Sequence, residues 1–163
     1  MSTNIVFIDS RVNDYQTLVA GLNQPAEVFV LNSDSDGLTQ MEALLMGRTG
    51  IDALHIISHG SQGALYLGNS VLDSYNLTSY SSQLASIGSS LTQTGDILLY
   101  GCNVAQGDVG QAFITQLSQV TGADVAASTD LTGAAALGGN WQLEYKSGVL
   151  EVTPIESLNY SAV

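Results

Sequence analysis

Short apolar runs alternate along this chain with longer stretches in which apolar positions recur every three or four residues. Residues 4–9 (NIVFID), 26–31 (AEVFVL), 51–58 (IDALHIIS), 96–100 (DILLY) and 123–128 (ADVAAS) are the short runs, and each reads as a strand. The run at 51–58 is apolar on both faces, as a central strand of a parallel sheet must be. Residues 14–22, 38–48, 76–91 and 108–120 carry the helical period. In the last of these, Asp108 is the expected N-cap, Gln111 completes a capping box and Gly122 stops the helix. Gly50 stands where a cap of the second helix would fall. Residues 64–67 and 71–72, joined by Gly68-Asn69, predict a small hairpin. Residues 141–145 and 149–152 predict a C-terminal strand pair about Ser147-Gly148.

Strands that alternate with helices predict a doubly wound α/β domain, with a mostly parallel sheet and helices on both faces. No repeat or linker interrupts the pattern. The expectation is one domain over residues 1–153, followed by a tail over 154–163.

Composition narrows the partners. The chain has 163 residues, a net charge of −12 and only three cations, Arg11, Arg48 and Lys146. Nothing here could neutralise a run of phosphates, so neither nucleic acid nor an anionic membrane surface is an expected partner. A cationic ligand or substrate segment suits the overall field. No apolar stretch of about 18 residues predicts a membrane span. The N-terminus has no basic region followed by an apolar core, as a signal peptide needs. The chain is therefore expected to be cytoplasmic, exported by another route, or a segment of a longer protein.

Two residues capable of nucleophilic catalysis lie just beyond the carboxyl ends of predicted central strands, where open α/β sheets bind ligands. His59 follows the third strand and Cys102, the only cysteine, follows the fourth. If those strands are neighbours, both side chains overhang one edge. An imidazole that takes the thiol proton leaves a thiolate to attack a carbonyl. Gly60 and Gly101 permit close approach of a substrate, and the Gly60 and Cys102 amides would form an oxyanion hole. The plain alternative is that His59 ends a strand and Cys102 packs.

The blocks LHIISHG (54–60) and DILLYGC (96–102) resemble the His-Gly and Cys signatures of the caspase, legumain, gingipain and separase clan. More closely, SHGSQGALYLG (58–68), DILLYGCNVA (96–105), TGADVAASTDLTG (121–133) and GGNWQLE (138–144) resemble a bacterial domain family of unassigned function, DUF4347. That family occurs in large exported, adhesin-like proteins with calcium-binding repeats. The resemblance implies a caspase-like fold with strand order 2-1-3-4-5, His59 as base and Cys102 as nucleophile. It also implies a cell-surface or extracellular setting within a larger protein. By likeness to separases, Asp130 would receive a substrate Arg or Lys before the scissile bond, although Thr129 stands where those enzymes carry Trp. The other reading of Asp130 is a turn cap.

Weaker signals remain. Asn32, Asp34, Asp36 and Gly37 imitate the start of a calcium loop, but the twelfth position is Ala43, so a loop with a helix N-cap is the stronger reading. No other cofactor is implied. His55 reads as an interior histidine, Tyr100 as packing with its hydroxyl in reach of the site, and Trp141 as core or strand cover. Asp9 and Asp34 fall near strand ends, with no partner legible in sequence.

These readings converge on a thiol endopeptidase acting on a polypeptide, with its own parent chain or a surface partner as the substrate. The competing reading is a catalytically inactive docking or assembly module that keeps the fold. A receiver-like regulator is disfavoured, because no acidic cluster with a lysine lies at the strand ends.

Overall fold

A computed structural model describes residues 3–133, 135–148, 150, 152 and 154–157. The chain forms an α/β structure around a mostly parallel six-stranded sheet. Its strands are β1 (Asn4–Asp9), β2 (Glu27–Leu31), β3 (Ile51–Ile57), β7 (Leu91–Tyr100), β8 (Asp124–Ala127) and β9 (Tyr145–Lys146). They stand in the order β2-β1-β3-β7-β8-β9, parallel throughout except for β9. Between β3 and β7 the chain builds a second, antiparallel sheet from β4 (His59–Ser61), β5 (Ala64–Leu67) and β6 (Ser70–Asp73). The predicted hairpin is thus three strands, and the first begins at His59 itself.

Alternation along the strands divides the core in two. Ile5 and Phe7 of β1, Leu54 and Ile56 of β3, Ile97 and Leu99 of β7 and Val125 and Ala127 of β8 face one side. There they meet α2 (Gly37–Leu45), α3 (Ser81–Ser89) and α4 (Gly107–Thr121). Val6, Ile8, Ala53, Ile57, Leu98, Tyr100 and Ala126 face the other side, against Leu18 of α1 (Tyr15–Ala20), Leu143 and Ile155.

Several boundaries differ from the sequence pattern, each for a local reason. The predicted helix over 76–91 is a 3-10 turn (Leu77–Tyr80) followed by α3, because Leu91 leaves the helix to pair with Ile51. Residues 92–95 then bulge out before Asp96 pairs with Ala53. α4 begins at Gly107 with Gln106 as its N-cap, and Asp108 lies in the first turn, where its charge complements the helix dipole. Gly122 takes φ 75° and closes that helix as expected. α2 ends at Leu45, short of Gly50, while Asp36 caps its start by accepting from the Leu38 amide at 2.8 Å.

The segment expected to begin a tail is packed over 154–157. Ile155 is fully buried, Ser157 bridges to Leu22, and the Ser157 hydroxyl donates to the Leu18 carbonyl at 2.8 Å. The chain returns because α1 alone is too short to cover the second face. Of the predicted C-terminal strand pair, Tyr145–Lys146 is strand and pairs with β8, residues 141–144, 150 and 152 are not strand, and Val149 and Glu151 lie outside the described residues.

Candidate active site

Strands β3 and β7 are neighbours and end together, with Ile57 opposite Tyr100. Beyond that pair Ser58 still reaches across, its amide donating to the Tyr100 carbonyl at 3.4 Å. The two chains then touch. A Cβ built on Gly60 would meet Val104 Cγ2 at 2.5 Å and the Cys102 carbonyl oxygen at 3.2 Å. One built on Gly101 would lie 3.4 Å from the Gly60 Cα. The two glycines expected to admit a substrate therefore admit each other, and they bring the His59 and Cys102 segments side by side. Gly60 also lies opposite Leu65 in the antiparallel sheet.

Cys102 turns the chain out of β7. Asn103, directly after it, takes φ 60°, a left-handed conformation that asparagine tolerates. The Asn103 amide donates to the Asp130 carbonyl at 2.8 Å, and the Ala105 amide to the Ser128 carbonyl at 2.9 Å. The thiol-bearing turn is thereby fastened to the end of β8. The thiol is half-buried, and its sulfur accepts from the Thr132 amide at 3.4 Å.

His59 is exposed at the rim, and its Nε2 lies 2.9 Å from the Arg11 carbonyl oxygen. A carbonyl only accepts, so Nε2 carries the hydrogen and the neutral ring keeps its lone pair on Nδ1. His59 and Cys102 line one small crevice with Val12, Ile57, Tyr100, Thr132 and Trp141. Its volume is about 30 Å³, room for a water-sized body.

Asp130 is exposed and does not line that crevice. Its Oδ1 accepts from the Ser128 hydroxyl at 3.0 Å, and Asn140 Nδ2 donates to Oδ1 and Oδ2 at 3.3 and 3.2 Å. Its main-chain carbonyl holds the Asn103 amide, which fixes the Asp130 backbone beside the Cys102 turn, while the carboxylate itself is turned to Ser128 and Asn140.

Beneath the crevice lies a buried polar chain. His55 and Tyr100 stack with ring centroids 5.9 Å apart, and the Tyr100 ring tilts against Trp141 at 6.0 Å. The Ile155 amide donates to the Tyr100 hydroxyl at 2.9 Å. That hydroxyl donates to His55 Nδ1 at 3.1 Å, and His55 Nε2 donates to Asn4 Oδ1 at 2.9 Å. His55 is fully buried, and burial lowers its pKa to about 4. Burial pushes the Tyr100 hydroxyl up, partly offset by the Ile155 amide. The hydroxyl is thus engaged with His55 and Ile155 in the interior, while the residue lines the crevice.

In the 32–37 loop, Asn32 Oδ1 accepts from the Asp34 amide at 3.1 Å and the Ser35 hydroxyl at 3.3 Å. Asp36 accepts from Leu38, from the Ser70 hydroxyl at 3.0 Å and from the Tyr80 hydroxyl at 2.8 Å. Among the described residues, no group of three or more His, Cys, Asp or Glu side chains is placed to hold a metal ion.

Two participants were not legible beforehand. The Arg11 carbonyl is a main-chain group, which no residue identity marks. Asp9 ends β1 as a fully buried carboxylate and binds the Arg11 loop, although an acid at a strand end gave only a faint signal.

Fold and site together define an open, mostly parallel α/β domain that carries an imidazole and a thiol on adjacent strand ends. The chain belongs to the family described as a domain of unknown function, DUF4347, which matches residues 5–162. No curated protein matches it in sequence.

Proposed function

We propose that this chain is a cysteine endopeptidase-like domain with a His59–Cys102 dyad on a caspase-like fold. The observation that carries the reading is the shared crevice: imidazole and thiol line the same small opening, and the imidazole is oriented with Nδ1 as its acceptor. The strand order and the position of the site at the carboxyl edge agree with it.

In this reading, His59 Nδ1 takes the proton from Cys102 Sγ, and the sulfur bonds to a peptide carbonyl carbon. The oxyanion rests on the Gly60 and Cys102 amides. The C–N bond then breaks, and the proton on His59 passes to the leaving amine. Water, deprotonated by the same imidazole, releases the acid from the thioester and restores the thiol. The chemistry needs no cofactor. The exposed Asp130 carboxylate, whose main chain is bonded to the Asn103 amide next to Cys102, favours a basic residue before the scissile bond. The substrate is a polypeptide, either the parent chain of this domain or a surface partner, in an extracellular setting.

A second reading has one observation in its favour. A crevice of about 30 Å³ leaves little wall for a peptide, as expected of an inactive docking module. A peptidyl electrophile that acylates Cys102, combined with a peptide-library digest, separates the two. The peptidase reading expects labelling and cleavage that vanish in Cys102→Ala and fall about 10²- to 10⁴-fold in His59→Ala. Labelling of equal rate in the wild type and His59→Ala, with no cleavage, rejects it in favour of docking.

A further inference from the structure

We infer that Asp9 is the positioning residue for His59, acting through the main chain of Arg11; its catalytic consequence rests on the dyad proposed above. The Asp9 carboxylate is fully buried, an expensive state that persists only when its oxygens are well satisfied. Oδ1 accepts from the Arg11 amide at 2.9 Å and from Arg11 Nε at 3.1 Å. Oδ2 accepts from the Gly68 amide at 2.6 Å, at the turn between β5 and β6.

These bonds settle the direction of one carbonyl. The Ser10 amide donates to the Leu31 carbonyl at 2.9 Å, and the Val12 amide to the Asp9 carbonyl at 3.0 Å. With Arg11 held by the carboxylate, each amide from 10 to 12 is tied, two of the three to Asp9. The Arg11 carbonyl shares its peptide plane with the Val12 amide, held by the Asp9 main-chain oxygen, and the carboxylate holds the plane before it, so both residues' bonds to Asp9 aim that carbonyl at His59 Nε2. An exposed imidazole on a free loop would spend its one hydrogen bond on water. A tethered acceptor holds the ring with its hydrogen on Nε2 and its lone pair on Nδ1, and such preorganisation matters because small misplacements are costly. Gly68 adds the antiparallel sheet, which also carries His59, to the same carboxylate.

Asp9→Asn keeps the shape but replaces one acceptor oxygen by an NH2 donor, so whichever way the amide turns, the Arg11 or the Gly68 donors lose their partner and the buried junction loses its charge. The test follows the exchange with water of the His59 Nε2 proton by nitrogen-15 NMR; the chain has two histidines, so His59→Ala assigns the signal. The expected result is a proton protected in the wild type and in Arg11→Ala, which keeps the main-chain bonds, and at least tenfold faster exchange in Asp9→Asn. On peptide substrate, kcat falls about 10- to 100-fold in Asp9→Asn with KM little changed. Should Asp9→Asn fail to fold, the wild type alone decides: the Arg11 amide and the His59 Nε2 proton must open at one rate. Protection of His59 that survives Asp9→Asn, or that is independent of Arg11 opening, overturns the inference. The exchange readout needs no turnover, so an inactive wild type in which Asp9 still governs His59 would reject the peptidase and leave the positioning intact.

Discussion

Gly60 and Gly101 pack main chain against main chain, with a Cβ on Gly60 falling 3.3 Å from the carbonyl carbon of Gly101. The same Cβ would stand 2.5 Å from Cγ2 of Val104, a fully buried, β-branched side chain with no room to turn. Gly60→Ala must therefore push the His59 segment away from the Cys102 turn. Overpacking of this kind costs about 1–3 kcal/mol. Denaturant unfolding should show that loss, and labelling of Cys102 should slow in the same variant. Unchanged stability would mean that the two segments can part freely.

Among the described residues the Asp130 carboxylate accepts from the neutral donors Ser128 and Asn140, so its charge remains available to a cation. A charge-assisted contact of about 1.5–3 kcal/mol corresponds to roughly a 10- to 150-fold preference. In the proposed peptidase reading, Asp130→Ala should remove most of the preference for Arg or Lys before the scissile bond, measured as kcat/KM on matched peptides. Cleavage after basic residues that survives the substitution would sink the assignment.

His55 links pH to stability. Its folded pKa is near 4, against 6.5 for the ordinary side chain, because burial disfavours the charged ring. Between those values the unfolded chain binds the extra proton, so stability falls as pH falls through this window and levels off below about 4. The full change is on the order of 3 kcal/mol. Unfolding free energies at pH 7 and pH 4.5 should differ less in His55→Gln than in the wild type. Equal slopes would show that other groups carry the acid sensitivity.

Tyr100→Phe removes the hydroxyl that accepts from Ile155 and donates to His55. Both partners would be left buried and unsatisfied, at a cost of about 1–3 kcal/mol each. The docking of 154–157 should loosen, visible as faster amide exchange at Ile155. Stability within about 0.5 kcal/mol of the wild type would show that water replaces the hydroxyl.

Ile155→Ala tests whether that segment is core. Deleting a fully buried isoleucine side chain to alanine costs about 2–5 kcal/mol. A thermal midpoint unchanged from the wild type would return the segment to the status of a tail.

The order of apolar runs along the chain by itself determined the layered α/β plan. Five strands, four of them largely buried and β2 at the sheet edge, and the helices between them announce themselves by period, since each must hide an apolar face. The same pattern placed His59 and Cys102 at strand ends, because the chain leaves the sheet where apolar residues give way to His-Gly and Gly-Cys. Local capping was legible at Gly122 and, though not to the residue, in the 32–37 loop, and misread at Asp108 and Gly50, since one loop residue more or less moves a cap without altering the period. What only the tertiary structure decided depends on neighbours distant in sequence. Leu91 is strand because Ile51 lies beside it, and Ile155 is buried because α1 leaves the second face of the sheet uncovered. The orientation of His59 depends on a main-chain oxygen 48 residues earlier, and that oxygen on a carboxylate at the end of another strand. Side-chain chemistry is written in residue identity; the direction of a carbonyl arises only when the chain has closed around it.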